Sequence, residues 1–241
     1  MKRIPKQLYI CPIEESVFEI RFSSKFPADA VFGIIYSAVK DFFPNNALKQ
    51  LPVQQIPEQI RLQDPNLKYQ ALHRLQKDNV TLSIGPRTLI FGNNKNYLGW
   101  NDWSTIFHSV LDEIESTGIL EKVDRIGLRY INIFDSNILE DTNIQLFIND
   151  NKLLNETSNL RTEFVDSGFI KILQVGNAVN IVTNNKHRTG SIIDIDCIYN
   201  FDNENFFEIY TELVNKAHDM EKRLFFDLLS DDFIYSLKPE Y

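Results

Sequence analysis

The chain has 241 residues, of which 43% are apolar and 24% are charged, with nine glycines and two cysteines. This composition is typical of a globular protein with a core of its own, and it excludes a disordered low-complexity chain and a small disulfide-stapled one. The formal net charge of −8 disfavours binding of the whole chain to nucleic acid, because contact with phosphates requires clustered lysine and arginine.

Hydrophobic periodicity predicts a series of strands and helices in the first part of the chain. Strands are expected where apolar and polar residues alternate, and helices where apolar residues recur every three or four positions. In chain order, the pattern predicts a strand at 16–22, a helix at 29–43, strands at 53–63, 67–77, 80–84 and 87–91, a helix at 100–116 and a strand at 124–134. Pro44, Asn45 and Asn46 are expected to end the first helix, and Gly118 the second.

A polar, asparagine-rich stretch over residues 135–161 separates this series from a second one and predicts a domain boundary. Beyond a short strand at 144–148, the pattern predicts strands at 161–175, 178–183 and 191–201 and a long helix at 204–229. We therefore predict two domains, residues 1–138 and 139–241. Runs of strands interrupted by few helices predict an α+β fold, in which each half is a mainly antiparallel sheet with helices packed on one face.

The second half carries two features that bear on association. Its last helix has an apolar stripe, which predicts either a core contact or a dimer seam. The stripe consists of Phe206, Tyr210, Leu213, Ala217, Met220 and Leu224. Residues 121–241 also hold 12 basic and 21 acidic residues, an excess that suits a basic partner or serves solubility.

Few side chains are arranged for catalysis or metal binding. The four histidines lack the spacing of a helical zinc pair, and neither cysteine stands near a second soft ligand. Ser104 precedes His108 by one helical turn, but no strained turn or oxyanion-binding loop accompanies them. Asp194 and Asp196 lie two apart on a predicted strand, so their carboxylates either share Mg²⁺ with a phosphate or form a polar edge. We predict no catalytic residue and no cofactor, and retain these aspartates as candidate metal ligands.

The strand at 124–134 alternates between a core face and a face with arginines. Ile126, Leu128 and Tyr130 share the apolar face, and two arginines lie on the other. Arginine suits bidentate capture of a carboxylate or phosphate. The candidates for binding an anion or a partner are Arg21, Arg87, Arg125 and Arg129. The alternatives are a lattice of ion pairs with Glu19 and Asp124, and packing against the second domain.

An aromatic cluster is predicted where the second helix begins. Tyr97 precedes the helix, and Trp100 and Trp103 share one face because they are three positions apart. Such a cluster either covers the core or stacks on nucleic-acid bases.

These motifs resemble those of a sporadically distributed, functionally uncharacterised family of bacterial and archaeal proteins of similar size. The matching features are Pro12 ahead of EIRF at 19–22, Tyr-x-Gly-Trp at 97–100, RIGLRYIN at 125–132, and the late helix with His218 and Phe225. The resemblance implies an α+β protein without an established activity. Families with this distribution often accompany mobile or defence genes, which implies a defence accessory or toxin-neutralising role.

Three functions are consistent with these features. The first is a non-enzymatic binding or assembly protein with a protein partner or a second copy, as a component of a prokaryotic defence or toxin–antitoxin-like module. The alternatives are a metal-dependent enzyme acting on nucleic acid or nucleotide, and a nucleic-acid-binding module. The sequence shows no secretory signal and no run of the roughly 18–20 apolar residues of a membrane helix, so we expect a cytoplasmic protein.

Overall fold

A computed structural model describes residues 3–43, 48–154, 157–183, 186–202 and 204–241. Its α-helices are α1 (Ala28–Val39), α2 (Glu58–Gln63), α3 (Pro65–Lys68), α4 (Trp100–Ser116), α5 (Ile138–Asp141), α6 (Phe206–Leu228) and α7 (Asp231–Ser236). Its strands are β1 (Gln7–Leu8), β2 (Ile13–Ser23), β3 (Lys49–Gln50), β4 (His73–Lys77), β5 (Val80–Gly85), β6 (Thr88–Asn94), β7 (Lys122–Phe134), β8 (Leu146–Ile148), β9 (Asn151–Leu153), β10 (Ser158–Asp166), β11 (Phe169–Thr183), β12 (Lys186–Asn200) and β13 (Pro239–Glu240). The fold is α+β, with mainly antiparallel pairing and a long helix near the end, which confirms the predicted fold class.

Within the described part of the chain, the strands form one large sheet and two small ones. Nine strands are hydrogen-bonded in the order β10-β11-β12-β7-β2-β6-β5-β4-β3. The pairs β1–β13 and β8–β9 form separate two-stranded sheets. Hairpins account for the neighbours β4–β5, β5–β6 and β10–β11, which are antiparallel. Among the described residues, none of the helices combines the length and the hydrophobicity that a membrane span requires.

The chain falls into two compact units, each assembled from separated segments. The first unit comprises Met1–Glu15, Arg129–Cys197 and Asn215–Tyr241, and the second comprises Ser16–Leu128 and Ile198–Val214. The predicted domains, 1–138 and 139–241, follow the chain instead. The difference arises because four elements, β2, β7, β12 and α6, each supply residues to both units.

The core of the second unit follows the periodicity of its sequence. Phe18, on the buried face of β2, stacks on Phe91 of β6 with ring centroids 6.0 Å apart, and it lies 4.9 Å from Phe107 of α4. α4 has the predicted bounds, and Gly118 follows it with a φ of 62°. Both helical periodicity and a glycine that accepts positive φ therefore fix this element.

The prediction of a strand at 53–63 is wrong. A 3-10 turn at Pro52–Gln55 and the helices α2 and α3 occupy this region, and only the end of the predicted strand at 67–77 forms β4. Prolines begin these short helices because a missing N–H is not needed in a first helical turn. The predicted end of the first helix at Pro44, Asn45 and Asn46 lies outside the described residues.

The predicted strand at 161–175 contains a turn. Ser167 and Gly168 have φ values of 50° and 86°, as a two-residue hairpin loop requires, and they separate β10 from β11. The apolar stripe of α6 also differs from the prediction. Phe206, Tyr210 and Ala217 are buried, together with Val214, Glu221 and Phe225, whereas Leu213, Met220 and Leu224 are only half-buried. Because one buried position of the helix is a glutamate, the pattern of apolar residues does not predict the buried face correctly.

Candidate functional site

Two of the predicted arginines meet at one carboxylate in the second unit. The Nε of Arg21 donates to Glu19 at 3.0 Å, and the Nη2 of Arg125 lies 3.6 Å from the other oxygen of the same carboxylate. The guanidinium of Arg21 also lies 4.6 Å above the ring of Tyr69. Arg87 is held elsewhere in this unit, at 3.4 Å from Glu58. Each of these arginines therefore has an internal anion. Glu19 is the one in the predicted lattice of ion pairs, whereas Arg87 pairs with Glu58 and Asp124 lies 3.9 Å from Lys122.

Arg129, the fourth candidate, belongs to the first unit and forms a bidentate ion pair with Asp194. Its Nε and Nη2 donate to the two carboxylate oxygens at 2.8 and 2.5 Å. The side chain of Asp194 is only 8% exposed, and the amide of Gln174 donates to it at 3.0 Å. The hydrogen bond with Asp194 raises the pKa of Arg129, and the charge of Asp196 adds to this effect.

This arrangement bears directly on the candidate metal ligands. Both oxygens of Asp194 accept hydrogen bonds from Arg129, and one also accepts from Gln174, so a metal ion would have to compete with these donors for the carboxylate. Among the described residues, no three histidine, cysteine, aspartate or glutamate side chains are grouped to hold a metal ion. The geometry thus offers Asp194 and Asp196 as part of an ionic cluster, and their role as ligands stays a prediction.

The aromatic cluster forms at the entrance of α4. The ring of Trp103 lies 6.1 Å from Trp100, 6.3 Å from Tyr97 and 5.4 Å from Phe107, in edge-to-face arrangements. Trp103 is fully buried, whereas Trp100 and Tyr97 are half-buried. The edge-to-face contacts make these rings part of the core boundary, and base stacking by the half-buried Trp100 and Tyr97 stays a prediction.

The side chains weighed as nucleophiles are engaged in structural contacts. The Oγ of Ser104 donates to the carbonyl of Asn101 at 3.1 Å, and the Nδ1 of His108 lies 2.9 Å from the Oη of Tyr210. Burial lowers the pKa of His108, partly offset by the charge of Asp112. Within the second unit this histidine is therefore a neutral hydrogen-bonding partner of a tyrosine.

Several ionisable groups of the first unit have strongly shifted pKa values, which no sequence pattern predicts. The Oη of Tyr130 lies 3.1 Å from the Nδ1 of His218, and desolvation lowers the pKa of that histidine to about 4. Glu221, one turn further along α6, is 5% exposed, and burial raises its pKa to about 8. Burial and the charge of Glu221 raise the pKa of Cys197 to about 12. These groups are neutral near pH 7, and Glu221 and Cys197 are buried while His218 is half-buried, which suits a core and not a reactive centre.

An open groove in the first unit is lined by exposed tyrosines. Its volume is about 750 Å³, and its walls include Tyr9, Tyr235, Lys238, Pro239 and Tyr241. The exposed fractions of the three tyrosines are 74%, 80% and 42%, respectively. We call this surface, with Ser236 as its remaining wall residue, the tyrosine groove. No sequence pattern predicts this groove, because its residues come from distant parts of the chain.

A second cavity, of about 430 Å³, lies in the second unit around His73. The imidazole stacks on Phe32 with ring centroids 3.8 Å apart, and its Nε2 lies 3.2 Å from the amide nitrogen of Gln54. Burial lowers the pKa of His73. Asp29 and Arg61 also line this cavity, so it presents both signs of charge and favours no single class of ligand.

No protein-family model matches the chain, and no curated protein sequence is significantly similar to it.

Proposed function

We propose that this protein is a non-enzymatic binding or assembly protein and that the tyrosine groove is a surface on which it holds a protein partner. The observation that carries the proposal is the exposure of Tyr9, Tyr235 and Tyr241 around one concave surface. Tyrosine is enriched at protein interfaces because it offers a large, rigid apolar ring together with a hydroxyl group for hydrogen bonding.

The backbone beneath the groove supports this role because it is held in place. The N–H of Tyr9 donates to the carbonyl of Lys238 at 3.1 Å, and the N–H of Lys6 donates to that of Glu240 at 2.7 Å, so β1 and β13 form a ladder. The guanidinium of Arg3 lies 4.7 Å from the ring centre of Tyr241. A surface ordered before binding loses less conformational entropy when a partner docks.

The other two functions have less support. A metal-dependent enzyme would need Asp194, whose carboxylate is paired with Arg129. A nucleic-acid-binding module would need exposed cations, whereas Arg21, Arg87 and Arg125 are each within 3.6 Å of a carboxylate. The proposal also includes a cytoplasmic setting and a place in a prokaryotic defence or toxin–antitoxin-like module. Only the sequence and the family resemblance support these two parts.

The test is affinity purification of the tagged protein from its native cells, with mass spectrometry and nucleic-acid extraction. We expect a stoichiometric protein that is lost when Tyr9→Ala and Tyr235→Ala are combined. Truncating two interface tyrosines typically weakens binding at least about tenfold. The matched control is Ile60→Ala, which truncates a residue that is 53% exposed in the second unit.

Three results would count against the proposal. If a partner binds the double tyrosine variant with the same affinity as it binds the wild type, the tyrosine groove is excluded as its binding site. Recovery of the protein without any partner would contradict a binding role under those conditions. Recovery of stoichiometric nucleic acid would favour a nucleic-acid-binding module. Unchanged thermal unfolding of the double variant shows that any loss of binding is not a loss of fold.

A further inference from the structure

β10 is a long strand at one end of the nine-stranded order. Its nine residues pair with β11, and no second partner strand is present among the described residues. Phe164 and Val165 on this strand are 42% and 82% exposed. Edge strands of this length are usually shortened, kinked or covered, because their outward N–H and C=O groups form a template for another strand.

The hairpin loop determines which backbone groups of β10 point outward. A two-residue loop at Ser167 and Gly168 makes Asp166 and Phe169 its closing pair, and such a pair is hydrogen-bonded. Pairing alternates along an antiparallel ladder, so even-numbered residues of β10 bond to β11. The N–H and C=O groups that point to the open edge therefore belong to Asn159, Arg161, Glu163 and Val165.

The sequence of β10 is complementary to itself when it is reversed about Thr162. In an antiparallel pair centred on this residue, Arg161 of one copy lies opposite Glu163 of the other, and Leu160 lies opposite Phe164. Both pairings occur twice because of the two-fold symmetry. Opposite charges and apolar pairs directly across two strands are the favourable cross-strand combinations.

An ion pair within β10 already places the charged side chains on the face where this pairing would need them. Arg161 and Glu163 already form an ion pair at 2.5 Å on one face of β10, with about half of each side chain exposed. In the symmetric arrangement the two ion pairs would join into a four-membered network. The outward residues Asn159, Arg161, Glu163 and Val165 also pair with one another in this register, so that about eight backbone hydrogen bonds could form.

We propose that two copies of this chain associate along β10, as antiparallel strands related by a two-fold axis at Thr162. The inference deepens the proposed assembly role by naming a second copy as a partner, on a surface that shares no residue with the tyrosine groove. The charge pair limits the register, since a shift by two residues would no longer place Arg161 opposite Glu163.

The decisive experiment is a charge exchange measured by sedimentation velocity over a range of protein concentrations. The wild type should form a concentration-dependent dimer. Arg161→Glu and Glu163→Arg should each weaken it at least tenfold, because each places like charges opposite one another twice. An equimolar mixture of the two variants should dimerise again, and so should the double variant, since both restore opposite charges.

Each other outcome overturns a defined part of the inference. A wild type that stays monomeric at the highest concentration rejects the dimer, and a dimer indifferent to both single variants rejects the β10 interface. Failure of the mixture to dimerise rejects the register about Thr162. Circular dichroism and thermal unfolding check that the variants fold. Because Tyr9→Ala with Tyr235→Ala should leave the dimer intact, the groove and the strand edge can fail independently.

Discussion

Replacing Glu221 with glutamine should stabilise the protein, and the gain should grow as the pH rises. Glu221 is 5% exposed, and burial raises its pKa to about 8 from an ordinary value of 4.5. Because the folded-state pKa is the higher one, the protonated carboxyl supports folding fully below about pH 4.5, and this support is lost as the pH rises through about 8. Glutamine has nearly the same shape but does not titrate, so the variant avoids this loss.

The size of the effect follows from the two pKa values. Between them, each pH unit lowers the free energy of unfolding by about 1.4 kcal/mol, so the wild type should lose roughly 2 kcal/mol relative to the variant between about pH 6.5 and 8.5. His218 acts in the opposite sense, because its pKa is lowered from 6.5 to about 4. The stability that His218 contributes is lost as the pH falls from 6.5 to about 4. Measurements above about pH 6.5 therefore exclude this effect.

Urea unfolding at the two pH values measures the difference directly. The wild type is compared with Glu221→Gln and with Glu212→Gln, an exposed position on the same helix. The gain from the Glu221 substitution should grow by roughly 2 kcal/mol between the two pH values, and the Glu212 substitution should show no such growth. A gain that does not change with pH would refute the argument that burial keeps Glu221 protonated.

Two other predictions concern the free energy of unfolding in denaturant titrations. Gly33→Ala should raise this free energy by about 0.5–1 kcal/mol, because a Cβ in this helix meets no atom within 4 Å. Gly190→Ala should lower it by about 2 kcal/mol, because its Cβ would lie 2.7 Å from a backbone oxygen. Equal effects of the two substitutions would contradict this reasoning. Arg129→Ala should lower it by about 2 kcal/mol, since the carboxylate of Asp194 would stay buried without its cation, while the exposed Arg223→Ala should change it by less than about 0.5 kcal/mol.

The elements that the sequence predicts well are those whose pattern is long and unambiguous. α4 spans more than four helical turns with a regular apolar stripe, and β7 alternates so strictly that Ile126, Leu128 and Tyr130 are all buried. The region at 52–68 fails because its helices are only four to six residues long. Such short segments contain too few turns for the helical period to be told from that of a strand.

The contacts at the candidate sites could be predicted only when the partners are close in sequence. Glu19 lies two positions from Arg21 on one strand, so their pairing follows from strand geometry. Asp194 is 65 positions from Arg129, and that ion pair requires the sheet order. The tyrosine groove joins Tyr9, which follows β1, to residues of α7 and β13 and their flanks, and no local pattern connects those segments.

The division of each compact unit among separated segments sets the order in which the chain can fold as it is synthesised. The second unit lacks Ile198–Val214 until synthesis has passed residue 214, and the first lacks Asn215–Tyr241 until it has passed residue 241. A fragment cut at the polar stretch near residue 138 would therefore leave both units incomplete. Because long-range segments must meet before either unit closes, we expect slow folding, with the strand edges exposed to other chains in the meantime.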